Sequence, residues 1–403
     1  MTCFNSLARR CLLVLITGLC IVSPGLAQDD KASATSFGGP DSVSNQLKRD
    51  EGAWTQLQKD LAARGVNFSL DYSAVGLNAS DALVDADEEA ASGMLRFYGS
   101  WDLLGRDTVN LGSLIWKVEH RHKYTDTEPK FLLFDTGTKG LITPPFSDEG
   151  ERLTNLYWRQ RFNGGRSTVV AGLLDVTDYL DVYALASPWT GFMNFAFSTG
   201  SNTIALPGDA TLGLSGATML GEEFFVIGGI ADMNSEPTDP LETFDSFFND
   251  NKYFTSVEFG WTDSREQIYT DNVHLTLWHA DESEIQGTDD GWGVNVSASR
   301  LFGKWLPFVR GGYSEDAGAL FEKSISAGVG YMGLGDGGAT IGLATNWGEV
   351  EGEDDQWISE VYYLWPILTQ LEVTFNLQWI RDPAFNDEED NLAVAGLRMR
   401  LVL

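Results

Sequence analysis

Apolar and polar positions alternate without a break near the carboxyl end of the chain. Leu371, Val373, Phe375, Leu377 and Trp379 interleave with Glu372, Thr374, Asn376 and Gln378. A period of two belongs to a β-strand, whose successive side chains point to opposite faces. Residues 397–403 repeat it, with Leu397, Met399, Leu401 and Leu403 on one side and Arg398 and Arg400 on the other. From Val66 onward the same alternation defines sixteen strand candidates, at 66–78, 93–104, 110–124, 151–163, 166–175, 208–220, 223–232, 252–263, 271–281, 290–302, 304–315, 323–333, 337–348, 355–364, 369–381 and 391–403. Only Glu51 to Arg64 follows a helical period, with Trp54, Leu57 and Leu61 on one stripe and Gly65 as the terminating residue.

A strand with one apolar and one polar face suits either a soluble sandwich or a transmembrane barrel. The connectors separate the two. With the carboxyl terminus on the periplasmic side, the inward connectors are short and rich in turn residues, as at Gly164-Gly165, Gly221-Glu222 and Gly303. The outward ones include 79–92, 125–150, 176–207 and 233–251, which are long. Alternation of turn and loop through sixteen strands is the habit of an outer-membrane protein. The predicted fold class is all-β: a transmembrane antiparallel β-barrel of about 16 strands with a short N-terminal helix.

The amino terminus reads as an export signal. Arg9 and Arg10 precede an apolar run from Cys11 to Val22, followed by Ser23-Pro24 and a Gly25-Leu26-Ala27 cleavage site. The expected organisation is a signal peptide at 1–27, a tail and periplasmic helix at 28–65, and a transmembrane barrel with inward-folded loops at 66–403. All 3 cysteines, Cys3, Cys11 and Cys20, lie inside the signal, which leaves no disulfide, thiolate ligand or cysteine nucleophile in the remainder. With 27 basic against 58 acidic residues and a net charge of −31, nucleic acid is not an expected partner. Loops 79–92, 233–251, 282–289, 349–354 and 382–390 carry acids as their only charged residues. Such loops are either solvated or meet the lipopolysaccharide layer through divalent cations.

The polar faces hold the candidate chemistry. Lys117, Glu119, Arg121 and Lys123 share one side of their strand, and Trp116, Val118, His120, His122 and Tyr124 the other. The next strand offers Asn155, Tyr157, Arg159 and Arg161 against Leu156, Trp158 and Phe162. With Glu258, Glu360, Asn376, Arg398 and Arg400, these residues form the expected pore lining and substrate-binding set. Pairing across the wall, Arg121 with Glu119 for example, is the alternative role for each. The long loops carry aromatics and prolines, including Phe131, Pro144-Pro145-Phe146, Tyr183, Trp189 and Phe192, and are expected to fold inward and narrow the pore. No phosphate-binding glycine loop, zinc spacing or nucleotide fingerprint appears, so no catalytic residue, metal or cofactor is assigned.

Several ordered blocks resemble the carbohydrate-selective porins of the OprB type. They are 118–125 (VEHRHKYT), 140–148 (GLITPPFSD), 156–162 (LYWRQRF), 357–363 (WISEVYY) and 394–401 (VAGLRMRL). The resemblance spans roughly Trp54 to Leu403. It implies a bacterial outer-membrane porin that admits monosaccharides and similar small polyhydroxylated solutes by facilitated diffusion. Expected partners are small sugars and outer-membrane lipid and lipopolysaccharide, with a monomer or homotrimer as the assembly. The alternatives are a general or anion-preferring diffusion porin and a barrel-based surface receptor.

Overall fold

The computed structural model describes residues 53–335 and 337–403. The expected signal peptide and tail lie outside the described residues, as do Glu51 and Gly52 of the expected helix. The helix α1 spans Ala53–Ala62. It ends where Gly65 takes a φ of 86°, a left-handed conformation that closes the last turn at little cost for a residue without Cβ.

Sixteen strands follow: β1 (Val66–Ala79), β2 (Glu89–Leu104), β3 (Gly112–Lys123), β4 (Gly150–Phe162), β5 (Ser167–Leu174), β6 (Thr211–Leu220), β7 (Phe224–Asp232) and β8 (Tyr253–Thr262). The second half comprises β9 (Asn272–Ala280), β10 (Gly291–Ser299), β11 (Trp305–Asp316), β12 (Lys323–Leu334), β13 (Ala339–Glu349), β14 (Gln356–Pro366), β15 (Leu371–Arg381) and β16 (Asn391–Val402). Each strand is antiparallel to its neighbour, and β1 pairs with β16 from Asp71↔Val402 to Ala79↔Val394, so the sheet closes on itself without an edge. Strand β2 starts four residues ahead of its sequence expectation, because Glu89↔Asn78 to Ser92↔Val75 already pair with β1.

The two faces sort as the alternation dictates, with the apolar one outside. Phe375, Leu377 and Trp379 are 50%, 47% and 51% exposed, whereas Asn376 and Gln378 between them are buried. Exposed aromatics gather near both rims: Tyr124, Trp292, Trp357 and Trp379 toward the long loops, and Trp101, Phe162, Phe224, Trp305 and Trp365 toward the short turns. The long connectors are 124–149, 175–210 and 233–252, all at one end. Two short helices sit in them, α2 (Leu132–Thr136) and α3 (Glu242–Asn249), too brief for a 3.6-residue period to show in the sequence.

Connector 175–210 lies against the inner wall. Trp189, Phe192, Phe197 and Tyr183 are buried together with Phe146 of connector 124–149 and with the wall residues Phe308 and Tyr362. Phe192 meets the Tyr362 ring edge-on at 4.9 Å, and Tyr183 lies 4.9 Å from Phe308. Removing each large ring from water stabilises this packing by about 1.5–3 kcal/mol. Gly312 on β11 permits the close approach, since a Cβ there would collide with Thr203 of the connector and with Asn295.

Candidate functional site

Inward-facing polar residues of the wall hold the connector in place. Glu360 accepts the backbone N–H groups of Met193 at 2.6 Å and Asn194 at 2.9 Å, and the side chain of Asn376 at 2.6 Å. Gln378 accepts from Asn194 Nδ2 at 2.9 Å. Arg398 donates to the carbonyls of Pro188 and Gly191 and to Thr374 Oγ1. Glu258 accepts from the N–H of Asp181 at 2.8 Å and from Thr276 at 2.9 Å. Four residues expected to line the pore therefore face the lumen but hold the loop instead, Glu258, Glu360 and Arg398 directly and Asn376 through Glu360. Arg400 lies deeper, joined to Asp71 at 2.9 Å and Glu372 at 3.5 Å, while Arg96 grips Asp71 from the other side and lies 3.8 Å from the centre of the Trp189 ring.

A cavity of about 460 Å³ opens above this packed layer. Lys117, Glu119 and Arg121 of β3 form one wall, with Lys130, Glu149 and Asp209 from the connectors. Pro144, Pro145, Trp189, Phe192 and Phe195 also line it, together with polar connector residues such as Asp175, Thr177 and Ser198. Arg121 binds Glu119 through Nη2 at 2.6 Å and Nε at 2.9 Å, Asp209 at 2.9 Å and Glu149 at 3.2 Å. Arg152 reaches the same two acids, Glu149 at 2.6 Å and Asp209 through both terminal nitrogens. Lys130 completes the cluster at 2.6 Å from Glu149. The intramural pair of Arg121 with Glu119 is thus present, but as one edge of a wider ladder of alternating charge.

This ladder decides the protonation of its loop carboxylates. Burial pushes Asp209 up, and Arg121 and Arg152 more than reverse it, holding the carboxyl well below the usual aspartate range. Glu149 follows the same pattern: burial raises it, and Arg152, Lys130 and Arg121 bring it below the ordinary glutamate value. Asp175 goes the other way. Burial raises it beyond what the neighbouring Lys117 restores.

Arg152 was not among the sequence candidates because of a bulge. Lys117 pairs with Asn155, yet Val118 pairs with Leu153, so Thr154 is an extra residue. The slip turns Arg152 and Asn155 to the same inner face, although their numbers differ in parity, and both are buried. Asn155 Nδ2 donates to Asp178 at 3.3 Å beside the cavity. Glu149, Lys130 and Asp209 sit in connectors, where no periodicity reveals direction.

Arg159 and Arg161 do not join the cluster. Arg159 pairs with Ser113 and Arg121 with Gly150, eight strand positions apart on β3, which is about 26 Å at 3.3 Å per residue. Arg161 lies near Arg159, Arg265 and Asp102 at the short-turn end. The expectation that Arg121 and Arg159 belong to one lining set is corrected: antiparallel pairing sets Arg121 opposite Gly150 at the start of β4 and Arg159 opposite Ser113 at the start of β3, so the two occupy opposite ends of adjacent strands. Lys123 stands at the mouth, half-exposed, donating to the Asp126 carbonyl at 3.1 Å.

A closed sixteen-stranded barrel with an apolar exterior and a charged, loop-narrowed interior has the build of a channel. The chain belongs to the carbohydrate-selective porin, OprB family, whose model matches residues 135–295 and 292–403. Among solved structures, a high-pH structure of OprB from Pseudomonas putida is similar over 90% of this chain and 100% of that one, with 16% identity and a TM-score of 0.70. A low-pH structure of the same protein gives 89% and 100%, 15% identity and a TM-score of 0.54. A triple mutant of the Rhodopseudomonas blastica porin gives 84% and 100%, 11% identity and a TM-score of 0.53. At such identities the likeness is one of fold. No curated protein matches the sequence.

Proposed function

We propose that the protein is an outer-membrane channel through which monosaccharides and similar small polyhydroxylated solutes diffuse, selected in the cavity between the β3 ladder and the loop wall. The observation that carries this reading is a cavity lined by both aromatic and charged side chains. A sugar has an apolar ring face and a rim of hydroxyls; Trp189, Phe192 and Phe195 suit the first, and Lys117, Glu119 and Arg121 the second. Glu119 Oε1 makes no hydrogen bond among the described residues and lies 3.9 Å from Lys117 Nζ. A volume of about 460 Å³ suits a small solute.

The apolar exterior with aromatics at both rims supports the membrane placement, the long loops then facing outward. No described helix is long and apolar enough to cross a membrane; the strands would do so. The cavity lining comes from one chain, so monomer and homotrimer would carry the same pore. A general anion-preferring pore is less well supported, because Arg121, Lys130 and Arg152 each have a carboxylate within hydrogen-bond reach. Swelling of proteoliposomes tests the proposal. Glucose should enter far faster than a trisaccharide, and liposomes impermeable to all sugars would refute it.

A further inference from the structure

Connector 175–210 turns on one residue, Asp181. Its φ is 52°, a strained conformation for a residue that carries a Cβ, and its surroundings hold it there. Its N–H donates to Glu258 of β8 at 2.8 Å. Its carbonyl accepts from Arg310 of β11 at 2.9 Å, and its carboxylate binds the same guanidinium. That carboxylate also accepts the N–H of Gly200 at 2.5 Å, which ties the returning arm of the loop to the outgoing one. Its remaining partner is His274 of β9, whose Nε2 lies 2.5 Å from Asp181 Oδ1.

The other ring nitrogen of His274 decides its charge. Nδ1 faces Asn272 Oδ1 at 2.6 Å. The Asn272 amide cannot be turned around without loss, since its Nδ2 donates to the Ile268 carbonyl at 2.7 Å. Both ring nitrogens therefore face acceptors, an arrangement that only the doubly protonated imidazolium satisfies. The charged groups facing the ring are Asp181 from the loop, Glu258 at 3.9 Å from β8, and Arg310 from β11, which also lies 4.2 Å from the centre of the Tyr183 ring. With the proton in place, two cations match two carboxylates. Without it, Arg310 alone faces both acids, and a nitrogen lone pair faces an oxygen.

We propose that His274 and Arg310, acting through Asp181, are positioning residues for the pore loop, and that the proton on His274 holds the loop in its narrow arrangement. Val182, Ser198 and Thr199 flank the Asp181 and Gly200 anchor points and line the cavity. Loss of the proton weakens the Asp181 anchor that joins the two arms and lets that side of the cavity move. The inference concerns the loop and stands apart from which solute the cavity takes.

The test uses a spin label on Ser198→Cys, in the full chain folded in detergent with Cys3, Cys11 and Cys20 replaced by Ser, so that the label sits at position 198 alone. Label mobility is expected to rise in a single step as the pH is raised. In His274→Gln, which cannot carry the charge, that step is lost. Asn272→Asp offers Nδ1 a carboxylate, at the cost of the Nδ2 bonds to the Ile268 and Val182 carbonyls, and is expected to shift the step to higher pH. A flat profile in the parent protein, the same step in His274→Gln, or an unmoved step in Asn272→Asp would overturn the proposal. Conductance recorded on the same samples separates the two readings. A pH step in mobility with no current at any pH speaks against the channel and leaves the positioning role standing.

Discussion

Arg121 and Arg152 share Glu149 and Asp209, so each arginine is held by the acids that hold the other. Replacing Arg121 by Ala removes a donor from the cavity wall and leaves Asp209 and Glu149 to Arg152 and Lys130. Single-channel recordings of Arg121→Ala should show higher ion conductance and weaker sugar block, with roughly 1–3 kcal/mol lost per charge-assisted contact. Arg152→Ala should resemble it, because the two residues form one cluster. Arg159→Ala should leave sugar block unchanged, since its strand position lies about 26 Å from that of Arg121 at the usual rise per residue. The acids add a pH signature. Glu149 and Asp209 are held below their ordinary values of 4.5 and 3.8, so the ladder is intact at neutral pH, and its stabilisation is lost as the pH falls from each ordinary value through the lowered one. Acid titration of the folded protein should weaken sugar block in that range, and block that persists well below it would contradict the role given to these carboxylates.

At the scale of elements, what matters is how a long connector becomes a wall of the cavity. Glu360 receives two loop N–H groups and Asn376 on one carboxylate, so Glu360→Ala orphans three buried donors. Each costs about 1–3 kcal/mol if no water replaces the acceptor. Limited proteolysis of Glu360→Ala should cut the 175–210 connector while sparing the barrel, and a connector as resistant as in the parent would count against the anchoring. The sequence reveals part of this arrangement. Glu360, Asn376 and Arg398 are legible as inward residues because strict alternation carries direction along β14, β15 and β16. Their task is not legible, because nothing local in a strand says what a distant loop will bring to it. Arg152 shows a second limit: one bulge at Thr154 reverses the parity on which the reading depends. Asp71 and Arg96, the buried pair beneath Trp189, lie on polar faces of β1 and β2 and are legible by the same alternation.

For the whole molecule, all sixteen strands were legible with ends within four residues, because an apolar exterior and a polar interior impose one period on every strand of a closed barrel. Alternation of turn and loop gave the topology by the same logic, and the closure of β1 on β16 follows once no edge is allowed. An intact barrel should run anomalously on a gel when unboiled and should need detergent to remain in solution; a water-soluble monomer would be incompatible with an exterior that exposes Phe375, Leu377 and Trp379. The central claim, that this barrel passes small sugars through the cavity beside β3, is tested most directly by the current through single channels in a planar bilayer as glucose is added. The account predicts discrete channels whose current falls as glucose rises, with the fall weakened in Arg121→Ala; channels whose current glucose leaves unchanged in both proteins would contradict it.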